Sequence, residues 1–249
     1  MISQNTDIIY GKNPILEAIE NGILLDKILI QNDMRGETEK EIRHLAKKNG
    51  INLTYVPKEK LSKIAPSAHQ GLVAYISKIV YANLQNILEQ AKTEEKIPTL
   101  VILDGITDVR NMGAIARSAE IFNIDALIVL EKNSAQINEE AIKASAGALL
   151  SIPVCREKSL AVLLETLINE GFQVWAADLN TEKKLGDIPT NEPIAIVLGA
   201  EGSGISKVTK DYADGIFSID QGGKIQSLNV SVAAGIIFHH IFALKYNIK

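Results

Sequence analysis

The chain has 249 residues, 46% hydrophobic and 22% charged, with a net charge of −4 and a single cysteine, Cys155. That composition allows a sizeable apolar core; it excludes an intrachain disulfide and argues against a cysteine-built metal site and a strongly basic nucleic-acid arm. The first residues carry no basic stretch followed by an apolar one, and no apolar run reaches the roughly 18 residues of a membrane span, so a cytoplasmic protein with no membrane partner is expected.

In chain order, Asn13-Pro14 followed by ILEAIENG reads as a short helix with Pro14 in its first turn and Gly22 at its end. Strands are predicted at 27–31, 51–56 and 71–77, with helices at 37–49, closed by Gly50, and at 58–64. Together these make a compact α/β unit. The polar, helix-prone stretch NLQNILEQAKTEEK ends at Pro98 and reads as a connector. Beyond it, strands at 99–105, 126–131, 172–178, 194–200 and 215–219 alternate with helices at 112–123, 139–150, 160–170, 206–212 and 229–246. That is the pattern of a parallel α/β sheet. The expected organisation is a domain at 5–79, a linker at 80–97 and a second domain at 98–249. Residues 1–80 hold 11 basic against 9 acidic side chains, and 98–249 hold 13 against 18. Nucleic-acid contact is therefore left to local patches or to paired subunits.

Three loops in the second domain carry the candidate chemistry. Ile219–Val232, IDQGGKIQSLNVSV, places Ser227 and Asn229 where a loop turns into an apolar helix, a costly position for polar side chains without partners. Leu198–Ser206, LGAEGSGIS, has neither the dinucleotide-binding spacing nor that of a P-loop. It offers free backbone groups at the carboxyl end of a strand, where open α/β sheets bind ligands. Glu201 within it reads either as a partner for a cation or as a cap on the next helix. In Asp108–Glu120, Asn111 reads as a helix N-cap. Arg117 reads either as pointing back toward the strand ends or as a solvated surface arginine. No H-x-x-x-H or acidic pair suggests a metal, and Ser227 lies outside G-x-S-x-G. Of His239–His240, one is expected to face a core or subunit contact.

Taken together, Asn111 with Arg117, LGAEGSGIS and IQSLNVSVAAG resemble the three motifs of the SpoU (TrmH) family of RNA ribose 2′-O-methyltransferases, in the SPOUT superfamily. KASAGAL resembles the family's segment between the first two motifs. YGKNPILEAIENG and HQGLVA resemble the RNA substrate-binding domain of the RlmB branch, which methylates a guanosine of large-subunit (23S) ribosomal RNA. The resemblance implies an α/β, Rossmann-like methyltransferase domain with a trefoil knot, S-adenosylmethionine as methyl donor, RNA as substrate and a homodimer. By position it implies a catalytic set of Asn111, Arg117, Glu201, Ser227 and Asn229. It likewise implies cofactor contacts from Leu198, Gly199, Ala200, Gly202, Ile219, Gln221 and Leu228. Asn111 and Asn229 would orient Arg117 and the ribose, with Ser227 and Glu201 behind them. Asp220-Gln221 stands where the family often has Pro-Met, and Arg110 where it often has His, adding a phosphate contact. Arg35, Lys58, Lys60 and Lys63 are candidate phosphate contacts in the first domain. The rival readings are the same chemistry on transfer RNA, a non-catalytic RNA-binding or assembly factor, and a nucleotide-dependent oxidoreductase.

Overall fold

The computed structural model describes residues 8–65, 69–179, 181–223 and 227–248. The chain divides into two compact units at Val80–Tyr81.

The first unit has a four-stranded sheet of β1 (Ile8–Tyr10), β2 (Leu25–Gln31), β3 (Asn52–Val56) and β4 (Leu72–Ile76), in the order β1-β4-β2-β3. β2 pairs parallel with β3 and antiparallel with β4. Side-chain alternation sorts the apolar run of β2 onto two faces. Ile28 and Ile30 pack with Ile15 of α1 (Lys12–Glu20) and with Ile42 and Ala46 of α2 (Glu37–Lys48). Leu29 packs on the other face with Leu61 of α3 (Lys58–Ile64). A strand covered on both faces is near-continuously apolar, which is why β2 was legible.

The second unit begins with α4 (Leu84–Thr93). This corrects the linker expected at 80–97. Leu84, Leu88 and Ala91 recur at helical spacing and are buried, and both leucines belong to the unit's main core cluster. The remaining elements are β5 (Thr99–Asp104), α5 (Val109–Ile121), β6 (Ala126–Leu130), α6 (Glu139–Ala144), β7 (Val154–Glu157), α7 (Leu160–Asn169), β8 (Gln173–Ala177), β9 (Lys183–Lys184), β10 (Ile194–Gly199), α8 (Lys207–Tyr212), β11 (Gly215–Ser218) and α9 (Val230–Lys245). The strands form a parallel sheet in the order β7-β6-β5-β10-β8-β11-β9. From β5 the chain winds outward through β6 to β7, then crosses to β8, and β10 inserts between β5 and β8. The strand order therefore reverses beside β5, and the carboxyl ends there are the expected ligand crevice. The knotted path expected for the C-terminal segment runs through 224–226, which lie outside the described residues, as do residues 5–7 of the first expected domain.

One face of this sheet, with Ile102, Ile128, Val174 and Val197, packs under α4 and α7. On the other face α9 packs on both β10 and α5. The helix expected at 139–150 is broken. Ala146 and Gly147 take positive φ values of 50° and 91°, leaving α6 and a short 3₁₀ turn at Ala148–Leu150. Its small residues serve close packing: a Cβ on Gly113 of α5 would sit 2.5 Å from the Ala144 Cβ. β1, β7 and β9 were not foreseen. They have three, four and two residues, too few to show a period. Cys155 of β7 is fully buried, and burial followed by the nearby Glu157 charge pushes its thiol up to about 12.

Candidate functional site

The carboxyl ends of β8, β10 and β11 and the start of α9 enclose a cleft of about 650 Å³. Its apolar lining comes from Leu198, Phe217, Ile219 and Leu228, beside polar residues such as Asp178, Glu201, Ser227 and Asn229. That size and mixture suit a small organic ligand.

The loop after β10 is held in a tight knuckle. Ala200 and Gly204 exchange backbone hydrogen bonds of 3.1 and 2.9 Å, so Glu201–Ser203 form a three-residue tip. Gly199 must be glycine, because a Cβ there would lie 2.3 Å from the Gly204 carbonyl carbon. Gly202 has φ +86°, where side chains are strained. Buried Asp104, at the end of β5, fixes the far side of the knuckle: its Oδ2 accepts from the Ser206 backbone N–H at 2.8 Å and the Thr209 hydroxyl at 2.7 Å. Substituting Gly199 with alanine is expected to abolish ligand binding in the cleft and lower the thermal midpoint. Calorimetry and thermal unfolding check both, and an unchanged protein would show that the knuckle is dispensable.

The knuckle presents Glu201 to two asparagines. Its Oε1 accepts from Asn111 Nδ2 at 3.1 Å, from Asn229 Nδ2 at 2.5 Å and from the Val230 backbone N–H at 3.4 Å. Asn229 Nδ2 also donates to Asn111 Oδ1 at 3.0 Å, while Asn229 Oδ1 caps α9 by accepting from Ser231 N at 2.9 Å. One carboxylate thus ties α5, the knuckle and the start of α9 together. Residues 90 and 28 positions apart meet here, which accounts for the polar Asn229 at the mouth of an apolar helix.

Two local expectations are corrected. Asp108, not Asn111, caps α5: its Oδ1 accepts from Arg110 N at 2.8 Å and Asn111 N at 3.0 Å. Those bonds, the one from Asn111 first, hold its carboxyl below the usual range. Capping by Asp108 frees the Asn111 amide for the cluster. α8 is capped by Ser206, so Glu201 is not its cap.

Leu198, Gly199, Ala200, Gly202, Ile219, Gln221, Ser227 and Leu228 all line the cleft, together with Glu201 and Asn229. Ile225 and Gln226, quoted within the third motif, lie outside the described residues. Arg117 stands apart. It is exposed on α5, does not line the cleft, and makes no hydrogen bond or ion pair with any described residue. Arg110 is not a free cation: its Nε donates to Glu140 Oε1 at 2.9 Å. Sequence reading missed Asp178, at the end of β8, and Lys210 of α8. They form an ion pair of 3.3 Å within the cleft lining. Their signal was the position of Asp178 just past a parallel strand's carboxyl end. The histidines on α9 stay out of the cleft: His239 is exposed against the Phe122 ring, and His240 is half-buried with its Nε2 unpartnered among the described residues. No group of metal-ligating side chains occurs among the described residues.

Comparison with known proteins converges on one family. Residues 98–239 match the SpoU rRNA methylase family, and residues 8–82 match the RNA 2′-O ribose methyltransferase substrate-binding domain. A TrmH family tRNA/rRNA methyltransferase of Staphylococcus saprophyticus is 35% identical over 235 residues, 94% of each chain. The Bacillus subtilis relative YacO is 32% identical over 242 residues, 97% of each chain. Among solved structures, the SpoU methyltransferase AviRb from Streptomyces viridochromogenes, in complex with AdoMet, aligns with a TM-score of 0.62 at 22% identity, covering 96% of this chain and 90% of that one. The A. aeolicus TrmH/SpoU tRNA-modifying enzyme aligns with a TM-score of 0.56 at 25% identity, covering 66% and 85%. With its second and third motifs at one cleft, Asn111 of the first bonded to both, and both of its units matched, this chain belongs to the SpoU (TrmH) family of RNA ribose 2′-O-methyltransferases.

Proposed function

We propose that the chain methylates the 2′-hydroxyl of a guanosine in 23S ribosomal RNA, using S-adenosylmethionine held in the cleft. The observation that carries this reading is the Asn111–Glu201–Asn229 cluster at the rim of a cleft of about 650 Å³. Leu198, Phe217, Ile219 and Leu228 would hold the cofactor's adenine on their apolar surface. When bound, the cofactor supplies an electrophilic methyl group on a sulfonium.

The protein's own part is placement and charge. Glu201 holds the two asparagine amides in fixed orientations, and these position the ribose. Ser227, exposed at the rim, supplies a further hydroxyl to the ribose or cofactor tail. Arg117, outside the cleft lining, acts on the RNA: it binds a phosphate or the hydroxyl oxygen and stabilises the developing alkoxide. A guanidinium stays protonated in proteins, so it does not serve as the base, and the hydroxyl proton passes to solvent water as the methyl group is transferred. The chain acts as a homodimer. Support comes from Val232 and Ile236, exposed on α9 beside α5, which give that face an apolar surface.

Ribosomal RNA is favoured over transfer RNA because this chain carries a unit that matches a substrate-binding domain, and the A. aeolicus tRNA-modifying neighbour covers only 66% of it. Mapping ribose methylation in total RNA with and without the gene tests this. One lost site in 23S RNA is expected; a lost transfer-RNA site overturns the substrate, and no lost site overturns the activity. In the first unit, Lys58, Lys60 and Lys63 lie on α3, and Arg35 is already committed to the Asn32 and Met34 carbonyls. Changing the three lysines to glutamate is expected to weaken RNA binding at least tenfold and flatten its salt dependence, with cofactor affinity unchanged. Filter binding across a salt series checks this, and an unaltered RNA affinity would place the RNA elsewhere.

A further inference from the structure

The strand that ends in the cofactor loop is braced from outside the cleft. Ile219 and Gln221 line the cleft, and Asp220 between them does not. Asp220 meets Lys184 instead, Oδ1 to Nζ 2.9 Å. The same ammonium reaches Ser218 Oγ at 3.4 Å, and Lys184 pairs with Ser218 in the β9–β11 ladder.

Lys184 is itself anchored. Its backbone N–H donates to Asp187 Oδ2 at 2.7 Å. Its neighbour Lys183 donates to the Asp214 carbonyl at 3.2 Å and lies 4.7 Å from the centre of the Trp175 ring. Thr181 Oγ1 donates to the Ile216 carbonyl at 2.6 Å. A two-residue strand with this many attachments is a fixed post. Asp220 is its attachment to a loop with two glycines, Gly222 and Gly223, around which a Cβ would meet nothing within 4 Å.

We propose that Lys184 and Asp220 are a positioning pair: their ion pair sets the orientation in which Ile219 and Gln221 face the cofactor. The inference rests on the cofactor reading above. It also gives a use to the charged residue at 220, which sits beside the cleft without facing it. Lys184 is half exposed and Asp220 largely exposed, so the pair's effect is modest and salt-sensitive.

The test is calorimetric binding of S-adenosylhomocysteine to the full-length protein. Lys184→Met and Asp220→Asn are each expected to raise the Kd about two- to fivefold at low salt. The double variant should be no worse than either single one, and the exchange Lys184→Asp with Asp220→Lys should recover most of the loss. Turnover at saturating cofactor should hold near wild type while KM for the cofactor rises. At high salt the difference between wild type and Asp220→Asn should shrink. Unchanged Kd values, or single effects that multiply in the double variant, overturn the pair. If wild type itself binds no S-adenosylhomocysteine, the cofactor reading fails instead.

Discussion

Glu201→Ala is expected to reduce single-turnover methylation about 100-fold or more while leaving the protein folded. The size follows from what one oxygen does. Glu201 Oε1 accepts from both asparagine amides and from the first N–H of α9. Hydrogen bonds to a charged group contribute roughly 1.5–3 kcal/mol each, and loss of one charge-stabilising group at an active site costs about 10²–10³ in rate. The cluster is at the surface, so water can satisfy the freed amides and the fold loses little. Without the carboxylate, however, Asn111 keeps only its bond to Asn229, while Asn229 keeps that bond and its cap on α9, so the Asn111 side chain gains freedom to rotate. Glu201→Gln separates geometry from charge: its carbonyl oxygen can accept the same bonds, but as a neutral group and with an amide where Oε2 stood. About a tenfold loss is expected there. Single-turnover rates and thermal unfolding measured together decide the matter. A Glu201→Ala rate within threefold of wild type would mean that the cluster is structural only.

The same cluster shows what the sequence could and could not reveal. The glycine-rich knuckle and the polar mouth of α9 stood out because both break local rules: glycines where a strand ends, and amides where a helix is apolar. Their partners did not stand out. The distance between Asn111 and Glu201 is spanned by a topology in which β10 inserts beside β5. No period within either segment encodes that insertion. α4 was misplaced for a related reason. Its polar face dominates the composition, and only Leu84, Leu88 and Ala91 at helical spacing reveal the side that completes the core under β5 and β6. The break in the helix at Ala146-Gly147 was obscured by alanines that favour a helix on either side. The cap at Asp108 was misassigned by three residues because Asp and Asn are nearly equal caps, and only geometry chooses between them.

Arg117→Lys is expected to lower the methylation rate by about 10²–10³ while leaving S-adenosylhomocysteine affinity within twofold of wild type. The separation of the two effects follows from position. Arg117 is exposed on α5 and outside the lining of the cleft, so it has no part in holding the cofactor. It also makes no bond with any described residue, so its replacement should not move the thermal midpoint. What lysine fails to supply is the planar fork, which can hold a phosphate oxygen and the ribose oxygen together; an ammonium is a point charge. The loss should therefore appear in the chemical step with RNA bound. Arg117→Ala should be no more than about tenfold worse than Arg117→Lys, since charge alone recovers a minor share. Two results sink this role. A near-wild-type rate for Arg117→Lys removes the need for a planar fork. A matching loss of cofactor affinity puts the guanidinium inside the cleft, and the groups that meet the ribose then reduce to Asn111, Asn229 and Ser227.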